Sequence, residues 1–524
     1  MRIMIGALGL ALAACSQSVS TPEEATTPLP SVTARLDTQP FQVRDSYYQA
    51  AAAQIDTKIK TRGVRPAKNV ILFVGDGMGI STITAARIHA GQTRGVDGES
   101  YRLTMETLPS MALSKTYSHD FQVSDSASTA TALTSGIKAN SRTLGIQQAA
   151  PFGNCARQQG EGTDTIFELA ERAGLATGVV STARITHATP ASTYAESASR
   201  DWESNGDLKG EAGSDDNLSD CRDIAQQLIE WPEGDGFEIV LGGGRVNFLT
   251  SDETDPENEN IKGKRTDGRD LTSEWTQKSN QHLYVTNKAD FDAIDYTSNA
   301  RVLGLFEPSH MKFELDRAKA PEEEPSIAEM TRAAITRLSQ NDDGYVLMVE
   351  GGRIDHGHHG VNAARALEDT DALDQAVAAA LEMTSVEDTL IIVTADHSHT
   401  MTISGYPKRN NPILGKSVLP VTDKLNQGID QKPYTTLSYA NGQSACRSVD
   451  GEIDCTRQDL TDIDTTDPDF LQPSLVPMFS ETHAGEDVAI FAAGPGSELV
   501  AGVMEQNEIF HVMARASGLV PASE

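Results

Sequence analysis

Val70-Ile71-Leu72-Phe73-Val74 runs without a break into Gly75-Asp76-Gly77-Met78-Gly79. Five consecutive apolar residues ended by a glycine read as a strand covered on both faces, since a strand with one wet face alternates apolar and polar positions. Five further short, mostly apolar runs follow, each ended by small or polar residues: Ala176-Thr177-Gly178-Val179-Val180, Phe237-Glu238-Ile239-Val240-Leu241, Tyr345-Val346-Leu347-Met348-Val349, Thr389-Leu390-Ile391-Ile392-Val393 and Val488-Ala489-Ile490-Phe491. All six read as buried parallel strands. Helix-like stretches lie between them, among them 163–173, 327–338 and 361–381. Strands alternating with helices predict an α/β fold, a three-layer sandwich around a mostly parallel central sheet. Sites in such sheets gather beyond the carboxyl ends of the strands.

Two regions break the rhythm. Residues 251–288 are polar and rich in Gly and Asp, which predicts a surface insertion. Residues 404–477 show no strand–helix alternation and predict a small inserted subdomain, leaving 46–403 and 478–524 as the main body.

The 524 residues carry 43 Lys plus Arg against 75 Asp plus Glu, a formal net charge of −32. A surface that acidic repels phosphate backbones and anionic lipid, which argues against nucleic-acid binding. At the start, Met1-Arg2 and the apolar stretch 3–14 read as a signal peptide, too short to span a bilayer. The run ends Leu12-Ala13-Ala14-Cys15, which resembles a lipobox, so Cys15 is the expected lipidation site and membrane anchor. Residues 15–45, rich in Ser, Thr and Pro over 16–40, are expected to form a disordered tether. The last residues, 518–524, carry no hydrophobic tail, so any anchoring is expected through Cys15. Cys155, Cys221, Cys446 and Cys455 are an even set in an exported chain, which favours disulfides. Three pairings are possible; the local one joins Cys155 to Cys221 and Cys446 to Cys455.

The residues after each apolar run carry the chemistry. Asp76 follows the first. Glu350-Gly351-Gly352-Arg353-Ile354-Asp355-His356-Gly357-His358-His359 follows the fourth, and Asp396-His397-Ser398-His399 the fifth. Glu481-Thr482-His483 stands just before the last. One strand-end Asp is an ordinary turn residue, but carboxylates and imidazoles at several strand ends together predict a multinuclear metal site. Asp355 and His359, four apart, can share one side of a helical turn. A second element, Ser124-Asp125-Ser126-Ala127-Ser128-Thr129-Ala130, predicts a helix starting near Ser126, where free N–H groups favour an anion. Composition does not choose among Ser124, Ser126 and Ser128. A third, Arg184-Ile185-Thr186-His187-Ala188-Thr189 followed by Arg200, supplies a guanidinium suited to phosphate.

These elements, with Thr482-His483-Ala484-Gly485-Glu486-Asp487, resemble the alkaline phosphatases, more closely their animal-type branch, from about Lys68 to Leu519. The resemblance implies that Ser126 is a nucleophile that becomes phosphorylated and that Arg200 binds phosphate. It implies two zinc ions, one on Asp355, His359 and His483, the other on Asp76, Asp396 and His397. It implies one magnesium on Asp76, Thr189 and Glu350, with His187, His356 and His399 next to the ligands. Less directly, it implies a calcium ion on Glu257, Phe306 (through its carbonyl), Glu307 and Glu324, and a crown-like role for 404–477. The implied activity is hydrolysis of diverse small phosphomonoesters at alkaline pH by a homodimer, here as a periplasmic or outer-membrane lipoprotein of a bacterium. Sulfatase relatives are disfavoured, because the Ser126 region lacks a Cys/Ser-x-Pro-x-Arg motif. Diesterase relatives usually carry a Thr nucleophile and lack the third-metal residues, here Thr189 and Glu350.

Overall fold

The run at 70–74 becomes β1 (Asn69–Gly75), near the middle of a sheet of 10 strands. The computed structural model describes residues 32–208, 218, 221–449 and 451–521. The expected signal peptide, Cys15 and the first part of the tether lie outside the described residues. In chain order the sheet's other strands are β2 (Ser110–Lys115), β3 (Ala176–Arg184), β4 (Ile239–Gly243), β5 (His282–Val285) and β6 (Arg301–Leu305). They continue with β7 (Tyr345–Gly351) and β8 (Thr389–Ala395). Short strands outside the main sheet follow: β9 (Ser398–His399), β10 (Met401–Ile403), β11 (Leu437–Gly442), β12 (Arg447–Val449), β13 (Glu452–Asp454), β14 (Ser474–Pro477) and β15 (His483–Ala484). The chain then returns to the main sheet with β16 (Val488–Ala493) and β17 (Gly502–Glu505). The sheet order is β17-β2-β16-β8-β1-β7-β3-β4-β6-β5.

Successive residues of the central strands feed two cores, one on each face. Ile71, Phe73, Leu347, Val349, Ile391 and Val393 enter one, with the helices 327–338 and 363–383 over them. Val70, Leu72, Val74, Val346, Met348, Leu390 and Ile392 enter the other, under the helices 126–135, 166–172 and 508–517. That double burial is why the strands are apolar without alternation, and each such side chain contributes about 1.5–3 kcal/mol. Helix Ile327–Leu338 starts where Ser326 and Glu329 cap each other, and its Ile327, Met330, Ala334 and Leu338 face the sheet. The α/β sandwich is thus as the pattern predicts.

Four differences from the sequence reading have physical causes. β16 runs antiparallel to both β8 and β2, whereas every other pairing in the sheet is parallel. The chain reaches it from β15, which pairs with β9 beyond the end of β8, so β16 starts at the sheet's carboxyl edge and must run back. A parallel arrangement would need a crossover of a dozen residues or more, and only 485–487 separate β15 from β16. The expected insertion 251–288 is in part a sheet element, since β5 is the edge strand beside β6; half-buried edge strands carry polar residues. Residues 32–45, expected as tether, are packed on the body: Arg35 N–H donates to the Gly518 carbonyl, and the buried Gln42 amide donates to the Ser135 and Asp164 carbonyls. The short, partly polar strands β2, β6 and β17 gave no long apolar run to read.

Region 404–477 contributes to a separate small sheet, β10-β11-β14, and carries the hairpin β12–β13, closed by the Cys446–Cys455 disulfide. Cys155 and Cys221 are joined as well, so both local pairs form. Among the described residues no helix is long and apolar enough to cross a membrane.

Candidate active site

Strand register brings the acidic residues together. Val74 pairs with Glu350 on β7 and with Thr394 on β8, so β1, β7 and β8 end side by side and deliver Asp76, Glu350 and Asp396 to one place. Gly77 makes the turn after Asp76 with φ +68, and a Cβ there would collide with the His399 ring, so side chains larger than hydrogen do not fit.

The serine ambiguity resolves geometrically. Asp125 caps the helix Ser126–Ser135, its carboxylate accepting from Ala127 N–H and Ser128 N–H. Ser124 Oγ is spent on the Thr116 carbonyl at 2.6 Å, and Ser128 Oγ on Asp125. Ser126, the first helical residue, turns its Oγ inward to 3.1 Å from His397 Nε2 and 3.4 Å from Asp76 Oδ1. Arg200 lines the same cavity of about 260 Å³, with His187, Asp355, His356, His359 and His483. Its Nη1 donates to Asp125 Oδ2 at 3.0 Å and its Nη2 to His187 Nε2 at 3.0 Å, so the helix cap also aims the guanidinium.

Three sets of donor atoms converge. His359 Nε2, His483 Nε2 and Asp355 Oδ1 lie 3.2, 3.3 and 3.4 Å from one another in pairs. His397 Nε2 lies 3.3 Å from Asp76 Oδ1 and 3.4 Å from Asp396 Oδ2. Asp76 and Glu350 form the third with His187, and here Asp76 Oδ2, Glu350 Oε1 and Thr189 Oγ1 are all buried without a hydrogen-bond partner. Burial, followed by the neighbouring Asp396, Asp355 and Glu350 carboxylates, holds the Asp76 carboxyl well above its ordinary range. Glu350 is pushed up to about 7, chiefly by burial. Burial also keeps the His397 and His187 imidazoles neutral, well below their usual value. Carboxylates crowded without cations and imidazoles held neutral are what a metal ion requires of its ligands. The residues therefore fit divalent ions: two mixed nitrogen–oxygen sets suited to zinc, and a mainly oxygen set suited to magnesium.

His399 lies between two carboxylates, 2.8 Å from Asp355 Oδ1 and 2.5 Å from Glu481 Oε2. Burial opposes its charge, yet the two carboxylates prevail and raise its pKa to about 10. His356 Nδ1 is buried and unpartnered, and its ring lies 4.0 Å from that of His310. His310 escaped the sequence reading, as did Ser181, whose hydroxyl donates to Glu350 Oε2, and Gln506, whose amide donates to the Asp396 carbonyl, while Glu481 stood among the strand-end carboxylates without a role of its own. Glu481 stood two residues from His483 and was the one with a local signal.

The expected calcium residues are less well gathered. Glu257, Phe306 and Glu307 line one open cleft, and Glu324 Oε2 is buried and unpartnered. However, Glu257 pairs with Arg245 at 2.8 Å and Glu307 with Lys312 at 3.4 Å. Among the described residues these acids do not converge as the other three sets do.

The sequence model of the alkaline phosphatase family matches residues 67–519. The chain is 43% identical over 488 residues to the tissue-nonspecific isozyme of alkaline phosphatase from Mus musculus, covering 91% of this chain and 90% of that protein. It is 42% identical over 465 residues to an alkaline phosphatase from Gadus morhua, covering 88% and 93%. Among solved structures it is similar to Thermus thermophilus alkaline phosphatase, with a TM-score of 0.60, 25% identity and coverage of 87% and 92%. A point mutant of TAB5 alkaline phosphatase, with magnesium bound in its M3 site, gives a TM-score of 0.57 at 25% identity, covering 87% and 99%. With the strand-end carboxylates and imidazoles gathered around Ser126, these matches show that the chain belongs to the alkaline phosphatase family and is a phosphatase.

Proposed function

We propose that this phosphatase hydrolyses small phosphomonoesters through a phosphoserine on Ser126, with two zinc ions and one magnesium as resident cofactors. The observation that carries it is the placement of Ser126 Oγ, at a helix N-terminus, within 3.4 Å of donor atoms from Asp76 and His397 and across one cavity from Arg200. Asp355, His359 and His483 would hold one zinc, Asp76, Asp396 and His397 the other, and Asp76, Thr189 and Glu350 the magnesium. When bound, these ions supply positive charge that favours the attacking and leaving oxygens and offsets the chain's long-range repulsion of phosphate.

Arg200 binds two phosphoryl oxygens with its forked donors, and the N–H groups at the start of helix Ser126–Ser135 add a positive dipole. Ser126 Oγ forms the bond to phosphorus as the bond from phosphorus to the ester oxygen breaks; the hydroxyl proton passes to solvent and the departing oxygen takes one up from water, leaving as the alcohol. Water attacks the phosphoserine from the opposite side, releasing inorganic phosphate and restoring the hydroxyl. Asp125 keeps Arg200 and the helix start in register through both steps. The residues named bind only the phosphoryl group, which leaves the alcohol outside and supports broad substrate use, and the resemblance points to an alkaline optimum. Homodimerisation and anchoring through Cys15 are proposed from the resemblance and the leader sequence; light scattering and mass spectrometry of the membrane fraction test them.

The decisive experiment is hydrolysis of a chromogenic phosphomonoester before and after chelation, then with zinc and magnesium restored. Loss on chelation and recovery only with both ions is expected. Full activity in the chelated protein would refute the metal assignment.

A further inference from the structure

Glu481 is a fully buried carboxylate beside the first ligand set without belonging to it. Its Oε1 accepts from Thr400 N–H at 2.7 Å and from Thr400 Oγ1 at 2.6 Å. Its Oε2 takes His399 Nδ1 at 2.5 Å, and its main-chain carbonyl takes His359 Nδ1 at 2.5 Å. Its own N–H donates to the His359 carbonyl at 3.1 Å.

An imidazole ligand offers one nitrogen to the ion and needs a fixed acceptor for the other, which sets both tautomer and ring orientation. The Glu481 carbonyl is that acceptor for His359, so Nε2 faces Asp355 and His483. The Glu481 carboxylate performs the same service one step removed. It holds His399, whose Nε2 lies 2.8 Å from Asp355 Oδ1 and aims that carboxylate. Both His399 nitrogens are thereby spent, which leaves it no lone pair for an ion. The third ligand, His483, is two residues along and has its own acceptor, the Ser124 carbonyl at 2.8 Å. Thr400 directly precedes β10, so Glu481 also ties the ligand set to the small sheet.

We infer that Glu481 is a positioning residue for the Asp355, His359 and His483 set, fixing two of its three members from one buried side chain and its adjoining carbonyl. The inference rests on the two-zinc reading. It is tested by titrating metal-free wild type, Glu481→Ala and Glu481→Gln with zinc, and with cobalt(II) for its visible spectrum, alongside thermal melts. Glu481→Ala should lose about 10–100-fold in affinity at one of the two zinc sites, with that site's cobalt absorption changed and the other's retained. Glu481→Gln should recover most of the loss, because its carbonyl still accepts from Thr400 and its amide N–H donates to Nδ1 of a neutral His399, whose Nε2–H still donates to Asp355. A folded Ala variant with wild-type affinity and spectrum overturns the inference, and so does a Gln variant as impaired as Ala. Should the Ala variant not fold, Thr400→Val, which removes one bond to Oε1, should weaken the same site by about 2–10-fold; unchanged affinity there overturns the inference equally. Wild-type protein that binds no zinc would instead defeat the two-zinc reading itself.

Discussion

Two of the places where the chain buries charge differ in how it is balanced. Beside β4, Arg245 and Arg265 are wholly buried, and each is saturated. Arg245 bonds Asp255 twice, at 2.7 and 2.9 Å, with Glu257 and the Leu305 carbonyl as further acceptors. Arg265 bonds Asp223 at 2.9 and 3.0 Å and also reaches Asp267. At the carboxyl ends of β1, β7 and β8, carboxylates face carboxylates, and Asp76 Oδ2, Glu350 Oε1 and Thr189 Oγ1 have no partner. Burial is the same; the balance is opposite. A buried charge with its counter-charge is architecture, whereas buried acceptors lacking donors define a place for a cation.

That contrast can be broken most severely at Ser126. Ser126→Ala should reduce turnover by about 1,000-fold or more and abolish trapped phosphoserine, with melting unchanged; normal turnover would refute the nucleophile. In the saturated region the expected effect is on stability alone. Asp255→Ala leaves the Arg245 guanidinium without its main partner and should cost about 3–5 kcal/mol, read as a lower denaturant midpoint, with zinc content retained.

Asp76→Asn sharpens the comparison, because its two effects have opposite signs. It removes one of several mutually repelling carboxylates, so the metal-free protein should gain on the order of 1 kcal/mol while metal content falls. A loss of stability in the metal-free variant would mean the site is not electrostatically strained.

The last effect, a slope with pH, concerns Lys138, a buried cation with partial compensation: its Nζ donates to the Tyr117 carbonyl at 2.8 Å and lies 3.2 Å from Glu505. Burial pushes its pKa down to about 8, against about 10.4 in the unfolded chain. Between those values the unfolded chain binds more protons, so Lys138 makes stability rise with pH over about 8–10.4. Lys138→Met should flatten that rise, which is at most about 1.4 kcal/mol per pH unit, in melts at pH 8, 9 and 10. An unchanged slope would contradict the assignment.

Much of the candidate site was readable because its carboxylates and imidazoles stand directly after apolar runs. Asp76, Glu350, Asp355, Asp396 and His397 follow strands whose burial on both faces leaves a plain composition signal. What Glu481 does there, and that His310 is there at all, were not readable. Their roles depend on partners far along the chain, such as His399, 82 residues from Glu481, and His356 against His310. β5 was hidden because an edge strand is half wet and carries polar residues, and the order of 32–45 because it comes from contacts with the distant Ser135, Asp164 and Gly518.

Sequence alone determined the α/β class, the six apolar strands and the crowd of carboxylates and imidazoles at their ends, all properties of residues close together in the chain. Tertiary structure decided which of three serines faces the carboxylates, which way β16 runs, and that one buried glutamate meets both His359 and His399. Those outcomes come from strand register and hydrogen bonds between segments far apart in the chain, and no local pattern of residue types encodes the meeting of two such segments.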